Sequence, residues 1–305
     1  MRVQKIGFIG VGKMGGPVAR RLATGQFDVR VFDMDPAAAE SCVRAGATRA
    51  PSAADAAAGA DAVLTSLPLP EHVLGVWTDL AGHLPAGAIA VDLSTIDPAT
   101  ASETSGLLAA HAVPFVSCAL GKTPMAAEQG AIPLFVGGPH EAVTRLGPLL
   151  ERIGDKVYDF GTPEAAVTFK LVSNLIGMTN LAVLAEGYVL ARRAGIDPAL
   201  FAAALDDTGA RSFQSDARLP WLIEGDYAAR FGTRLAAKDV RLAVEAAARW
   251  ELPTPVAAQA LSQLLTACAH GHADEDVVAV AKTLDPGGAL LRPADQEPGP
   301  GPAGS

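Results

Sequence analysis

The sequence predicts an α/β fold in three parts: a doubly wound, mostly parallel sheet, then one long helix, then an all-helical C-terminal domain. Three observations carry this. Short apolar runs alternate with segments of helical length from residue 5 to about 160. A glycine-rich turn lies between the first apolar run and the first helix. After residue 161 the period changes to an unbroken helical one.

The runs are KIGFIG, DVRVFD, DAVLTSLP, AIAVDLS, VPFVSCA and IPLFVGG, with GPVARRLATG and PAAAESCVRAG following the first two. Runs rich in Val, Ile, Leu and Phe, joined by helical connections, read as βαβ units. The ligand crevice of such a sheet lies at the carboxyl ends of its strands. Past residue 161, Thr162-Pro163 offers a cap and a first-turn proline. Val167, Leu171, Leu175, Met178, Leu181 and Leu184 then recur at helical spacing until Gly195, which predicts one helix of roughly thirty residues. Further helices are expected around 198–206, 212–224, 232–249 and 254–269. The expected divisions are 1–162 for the sheet domain, 163–194 for the connecting helix, 195–288 for the helical domain and 289–305 for a tail. From Arg292 that tail reads RPADQEPGPGPAGS, too poor in apolar residues to bury, and is expected to be disordered.

Composition narrows the function. The chain has 305 residues, half of them hydrophobic and 19% charged, which is globular and long enough for two domains. A net charge of -9 offers no basic footprint for nucleic acid or an anionic membrane, so neither is expected as a partner. No run of about eighteen apolar residues occurs, and no membrane span or signal peptide is expected. Cys42, Cys118 and Cys268 are widely spaced, which suggests neither disulfides nor a zinc site and fits a reducing, cytoplasmic compartment.

The chemistry begins at IGFIGVGKMGGP, where Gly10, Gly12 and Gly15 stand in GxGxxG spacing between a predicted strand and a predicted helix. Such a turn brings backbone amides at a helix N-terminus close to a pyrophosphate. Asp33 ends the second strand at about the twenty-residue distance where a carboxylate accepts from the adenosine ribose hydroxyls. A carboxylate there repels a 2′-phosphate and no arginine follows directly, so NAD is expected over NADP. Capping of the helix near Pro36 competes for Asp33, although Asp35 is better placed for it. Within FKLVSNLIGM, Lys170 and Asn174 are four apart and share a helix face, so one ligand could meet both. A lysine on an apolar helix either snorkels to water or serves chemistry.

Beyond the glycine turn the chain resembles the β-hydroxyacid dehydrogenases, the group of 3-hydroxyisobutyrate dehydrogenase and the smaller relatives of 6-phosphogluconate dehydrogenase. The resemblance runs from residue 5 to about 285 and is carried by GFIGVGKMGGPVARRL, VDLSTIDP, FVSCALGKTPMAAEQGAIPLFVGG and KLVSN, with LAAKDVRLA as a weaker fifth block. It implies a Rossmann domain, a nicotinamide cofactor, a small β-hydroxy acid or semialdehyde substrate, and a homodimer or homotetramer. By resemblance Lys170 is the general acid/base and Asn174 orients the substrate. Val11, Lys13, Met14, Leu67, Pro68 and Thr95 join the three glycines and Asp33 around the cofactor, with Phe231 and Lys238 reaching it from the helical domain. Asp239 is then a structural partner. Desolvation and the positive nicotinamide ring are what would bring the lysine toward the working pH.

Two departures bear on the substrate. The family's Ser-Gly-Gly loop is here Gly121, Lys122 and Thr123, similar to the Gly-Arg-Thr of sulfolactaldehyde reductases, and Ser94 is expected beside the same ligand. Lys122 adds a charge where an anionic tail should dock. Glu164-Ala165-Ala166 replaces a Gly-x-Gly ahead of the lysine, and Ser173 replaces an asparagine. HGHADED reads as a turn capping the last helix rather than a metal site, and Cys118 reads as buried packing. Alternatives to a hydroxy-acid dehydrogenase are a sulfolactaldehyde-type reductase, an imine reductase, which usually lacks the lysine, and a dinucleotide-binding protein without turnover.

Overall fold

A computed structural model describes residues 3–291, so the expected disorder beyond Arg292 lies outside the described residues. The chain divides into two compact units, one running up to Val172 and the other from Ser173 onward. The boundary falls inside the long helix rather than at its ends.

The first unit holds an eight-stranded sheet: β1 (Lys5–Ile9), β2 (Asp28–Phe32), β3 (Thr48–Arg49), β4 (Ala62–Thr65), β5 (Ile89–Asp92), β6 (Phe115–Leu120), β7 (Pro133–Gly137) and β8 (Lys156–Asp159). Their order is 3-2-1-4-5-6-7-8. β1 lies between β2 and β4, so the winding reverses there and the crevice opens at the ends of β1 and β4. The six apolar runs read from sequence are β1, β2, β4, β5, β6 and β7. β3 and β8 were not legible, being two residues long in one case and exposed throughout in the other.

β7 runs antiparallel to β6, against the parallel order of the strands before it. The link between them carries only α6 (Pro124–Gln129), a helix too short to return the chain to the opposite end of the sheet, as a parallel crossover must. Two apolar layers cover the sheet. α1 (Gly15–Ala23), α2 (Pro36–Arg44), α6 and α7 (His140–Ile153) bury Val18, Leu22, Cys42, Leu146 and Leu149 on one face. α3 (Ala53–Ala57), α4 (Pro70–Leu80) and α5 (Pro98–Ala109) bury Ala56, Val73, Trp77 and Leu108 on the other. Trp77 meets Phe115 edge-on at 6.4 Å.

α8 (Pro163–Arg193) starts where the sequence places it, with Ala165 N donating to Thr162 Oγ1. Phe169 stacks on Phe160 at 4.6 Å and meets Phe135 at 4.8 Å, which pins this first stretch to the sheet edge. By length and composition α8 could cross a bilayer. Met178, Leu181, Ala185 and Tyr188 instead form the core of the second unit. That unit adds α9 (Pro198–Asp206), α10 (Phe213–Glu224), α11 (Thr233–Arg249) and α12 (Pro255–Ala267), in close agreement with the four expected segments. HGHADED turns the chain through Gly271 into a further helical turn at Val277–Thr283, which the sequence had not suggested.

Two glycines give opposite expectations for stability. A Cβ on Gly137 would stand 1.9 Å from the Thr162 carbonyl oxygen, so Gly137→Ala should lose about 1–3 kcal/mol in chemical denaturation. Gly147 lies within α7 with open space around it, and Gly147→Ala should gain about 0.5–1 kcal/mol. Equal effects of the two changes would contradict this packing.

Candidate active site

At the end of β1 the backbone turns sharply. Gly10 has φ +86°, and its amide donates to Phe32 O at 2.9 Å. A Cβ on Gly15 would stand 2.1 Å from Gly10 O, so α1 can abut the turn only without a side chain there. Gly12 faces open space with nothing within 4 Å of the corresponding position, and with Lys13 it is exposed; Met14 is half-buried. This open cradle at the head of α1 is what a pyrophosphate requires. Asp33 ends β2 and ties the turn together: Oδ2 accepts from Val11 N at 2.8 Å and Oδ1 from Asp35 N at 2.9 Å. The cap of α2 is Asp35, which accepts from Ala37 N, so Asp33 is spared that task.

The loops after β4 and β5 are locked around Asp92, which is fully buried. Thr65 Oγ1 donates to Asp92 Oδ1 at 2.7 Å and Ser94 Oγ donates to the same oxygen at 2.6 Å. Leu67 N donates to Ser94 Oγ at 2.8 Å. Ser94 therefore holds the Leu67 loop with its hydroxyl, Thr95 beside it is half-buried and Pro68 is exposed. Burial, reinforced by Asp92, pushes the Cys118 thiol up to about 12, which rules it out as a nucleophile at neutral pH.

The loop after β6 folds back on itself. Gly121 packs its backbone on Pro133, and Thr123 Oγ1 accepts from Ala126 N at 3.3 Å as the cap of α6. Lys122 has φ +61° and its Nζ donates to Ala131 O at 2.6 Å, which commits one of three ammonium hydrogens and holds the charge over the loop. Arg20 Nε donates to Glu128 Oε1 at 3.0 Å and Arg21 Nη1 to Glu128 O at 3.2 Å. The helix that heads the glycine turn thus also clamps the helix behind Gly121–Thr123. Sequence reading missed this clamp, and its one signal was the pair of arginines late in α1. The side-chain hydrogen bond from Arg20 holds the Glu128 carboxyl below the usual carboxylate range.

Lys170 and Asn174 lie one turn apart on α8, both half-buried, and Ser173 between them is exposed. Ala166, which takes the place of a glycine, is fully buried at the start of the helix. In the second unit Asn174 Nδ2 donates to Asp239 Oδ2 at 2.6 Å. Lys238 Nζ lies 2.9 Å from Asp239 Oδ1, a close charge contact outside hydrogen-bond angles. Phe231 N donates to Asp276 Oδ2 at 2.9 Å, and Asp276, fully buried, faces Arg218 at 3.8 Å. Among the described residues no three His, Cys, Asp or Glu side chains converge as metal ligands. His270 bonds to Thr266 O at 2.8 Å and His272 lies 3.3 Å from Glu275.

These halves agree with what is known of similar proteins. Residues 5–161 match the family model for the NAD binding domain of 6-phosphogluconate dehydrogenase. Residues 165–284 match that for the NAD-binding region of NADP-dependent 3-hydroxyisobutyrate dehydrogenase. An NAD-dependent L-serine dehydrogenase of Pseudomonas aeruginosa is 30% identical over 93% of this chain and 99% of its own. A 2-(hydroxymethyl)glutarate dehydrogenase of Eubacterium barkeri is 31% identical over 92% of this chain and 95% of its own. The solved 3-hydroxyisobutyrate dehydrogenase of Mycobacterium tuberculosis with L-serine superposes with a TM-score of 0.86 at 27% identity, covering 93% of this chain and 99% of that one. An imine reductase from a Pseudomonas species, at 19% identity and a TM-score of 0.63, shares the fold alone. With both family models together spanning nearly the whole of the two units, the chain belongs to the β-hydroxyacid dehydrogenases.

Proposed function

We propose that this chain is a nicotinamide-dependent dehydrogenase of small β-hydroxy acids, with Lys170 as general acid/base. The observation that carries the reading is the pair Lys170 and Asn174 on one face of α8, in a chain whose glycine turn leaves an open cradle at Gly12. The dinucleotide, when bound, supplies the hydride acceptor or donor. The remaining work falls to the chain. In oxidation the substrate hydroxyl gives its proton to the Lys170 amine, and in reduction the ammonium returns it. Asn174 holds the substrate at the same face. Lys170→Ala should slow the chemical step by about 10²-fold to 10⁴-fold in single-turnover kinetics while NADH binding, read by fluorescence, is unchanged. A dinucleotide-binding protein without turnover would bind NADH and oxidise no hydroxy acid.

The named relatives support the substrate class. Serine, 3-hydroxyisobutyrate and 2-(hydroxymethyl)glutarate each carry a primary alcohol on the carbon next to a carboxylate-bearing carbon. Lys122, which keeps two ammonium hydrogens beyond its bond to Ala131 O, favours an anionic tail near the Gly121–Thr123 loop and gives a second reading, a sulfonate in place of the carboxylate. A screen over 3-hydroxyisobutyrate, glycerate, serine and dihydroxypropanesulfonate decides between them.

NAD is the preferred cofactor in this reading because the Asp33 carboxylate stands at the end of β2, with Met34 and Asp35 after it rather than an arginine. Solved relatives include one, Psf3, bound to NADP+, so the choice is specific to the chain. Asp33→Ser should raise KM for NAD by roughly 10-fold to 100-fold, the worth of charge-assisted hydrogen bonds, and improve NADP relative to it. Unchanged cofactor preference would remove Asp33 from the ribose.

The enzyme is a homo-oligomer in the same reading. Ile176, Val183 and Leu190 recur every seven residues along α8 and are 53%, 59% and 71% exposed, an apolar stripe of the kind that pairs with a second copy. Val183→Glu should lower the mass seen by light scattering. The three free cysteines support a reducing, cytoplasmic setting.

A further inference from the structure

Asp239 lies on α11 with 3% of its surface exposed, four residues after Leu235 and directly after Lys238. Its two carboxylate oxygens serve different partners. Oδ2 accepts from Asn174 Nδ2 at 2.6 Å, and Oδ1 lies 2.9 Å from the Lys238 ammonium. A carboxylate can only accept. The end of the Asn174 amide that faces it must therefore be the NH2. The carbonyl oxygen of Asn174 consequently points the other way. The terminal torsion of an asparagine is broad and nearly two-fold, so without a fixed partner the amide can present either a donor or an acceptor.

We propose that Asp239 is a positioning residue: it orients the Asn174 amide so that an acceptor oxygen meets the substrate, which selects a ligand group that donates, such as a hydroxyl. The Lys238 ammonium, 2.9 Å from Oδ1, attracts the carboxylate and helps to hold it in one place. The inference deepens the proposed function and rests on its reading of Asn174 as a substrate-facing residue. Asn174 and Asp239 are 65 positions apart, so the fold alone joins them.

A double-mutant cycle tests this on the full-length chain. Asn174→Ala and Asp239→Ala should each lower kcat/KM for the hydroxy acid by about 10-fold to 100-fold, and the double variant should fall no further than the weaker single one. Additive losses would overturn the proposal. The kinetic coupling in that cycle is the readout that a merely structural role would not give, and NMR reads the hold on the amide directly. The Asn174 side-chain NH2 protons, identified by their loss in Asn174→Ala, should exchange slowly in the wild-type protein and rapidly in Asp239→Ala. Rapid exchange in the wild type, or no change in the variant, would equally overturn it. If Asp239→Ala does not fold, Asp239→Leu fills the site with a side chain of similar size, and the wild-type exchange rate still decides. A wild-type protein that turns over no hydroxy acid sinks the proposed function, while the NH2 exchange rates go on testing the hold of Asp239 on the amide by themselves.

Discussion

The dinucleotide half of the molecule depends on one close approach, that of the α1 backbone to the turn after β1. Gly15 and Gly10 meet at a distance that no side chain survives. Because of that contact, α1 begins directly beside the open space at Gly12, and the Val11 amide reaches the Asp33 carboxylate. The same helix carries Arg20 and Arg21 at its other end, where they hold Glu128 behind the loop that would receive the substrate tail. One rigid rod therefore registers the glycine turn and the Gly121–Thr123 loop against each other within the first unit.

A second set of constraints surrounds α8. Gly137 lets the end of β7 lie against the backbone at Thr162, and the Phe135, Phe160 and Phe169 rings fix the stretch that follows. Lys170 comes directly after Phe169, so this aromatic packing fixes the turn of the helix that carries it. In the second unit the polar counterpart is Asp239, a buried carboxylate facing an amide and an ammonium. Buried charges of this kind are costly to leave unpaired, which makes their orientation more definite than that of the surface lysines.

Some site residues take roles in the structure that their motif does not announce. Ser94 lies in a block that resembles the loop beside the nicotinamide and was itself expected to touch substrate, yet its hydroxyl donates to Asp92 and accepts from Leu67. Lys122 stands in a loop position that resembles an anion contact, and its amine is drawn over Ala131. In both cases a short-range partner, invisible in a list of residue types, competes for the polar group. Glu164-Ala165-Ala166, which departs from the resembled pattern, still starts a helix directly after Thr162, with Ala166 buried against the sheet unit.

By itself the sequence determined the periods: which runs are strands, where α8 begins and ends, which glycines make the turn, and which lysine stands four residues from an asparagine. Those features are local, set by side-chain spacing and by the backbone freedom of Gly and Pro over a few residues. Tertiary structure alone decided the antiparallel turn of β7, the two strands too short or too exposed to show a pattern, the Arg20–Glu128 clamp and the Asn174–Asp239 bond. Each of these joins residues far apart in the chain or hangs on the length of a connection, and a hydrogen bond between distant partners leaves no periodic trace in the order of amino acids.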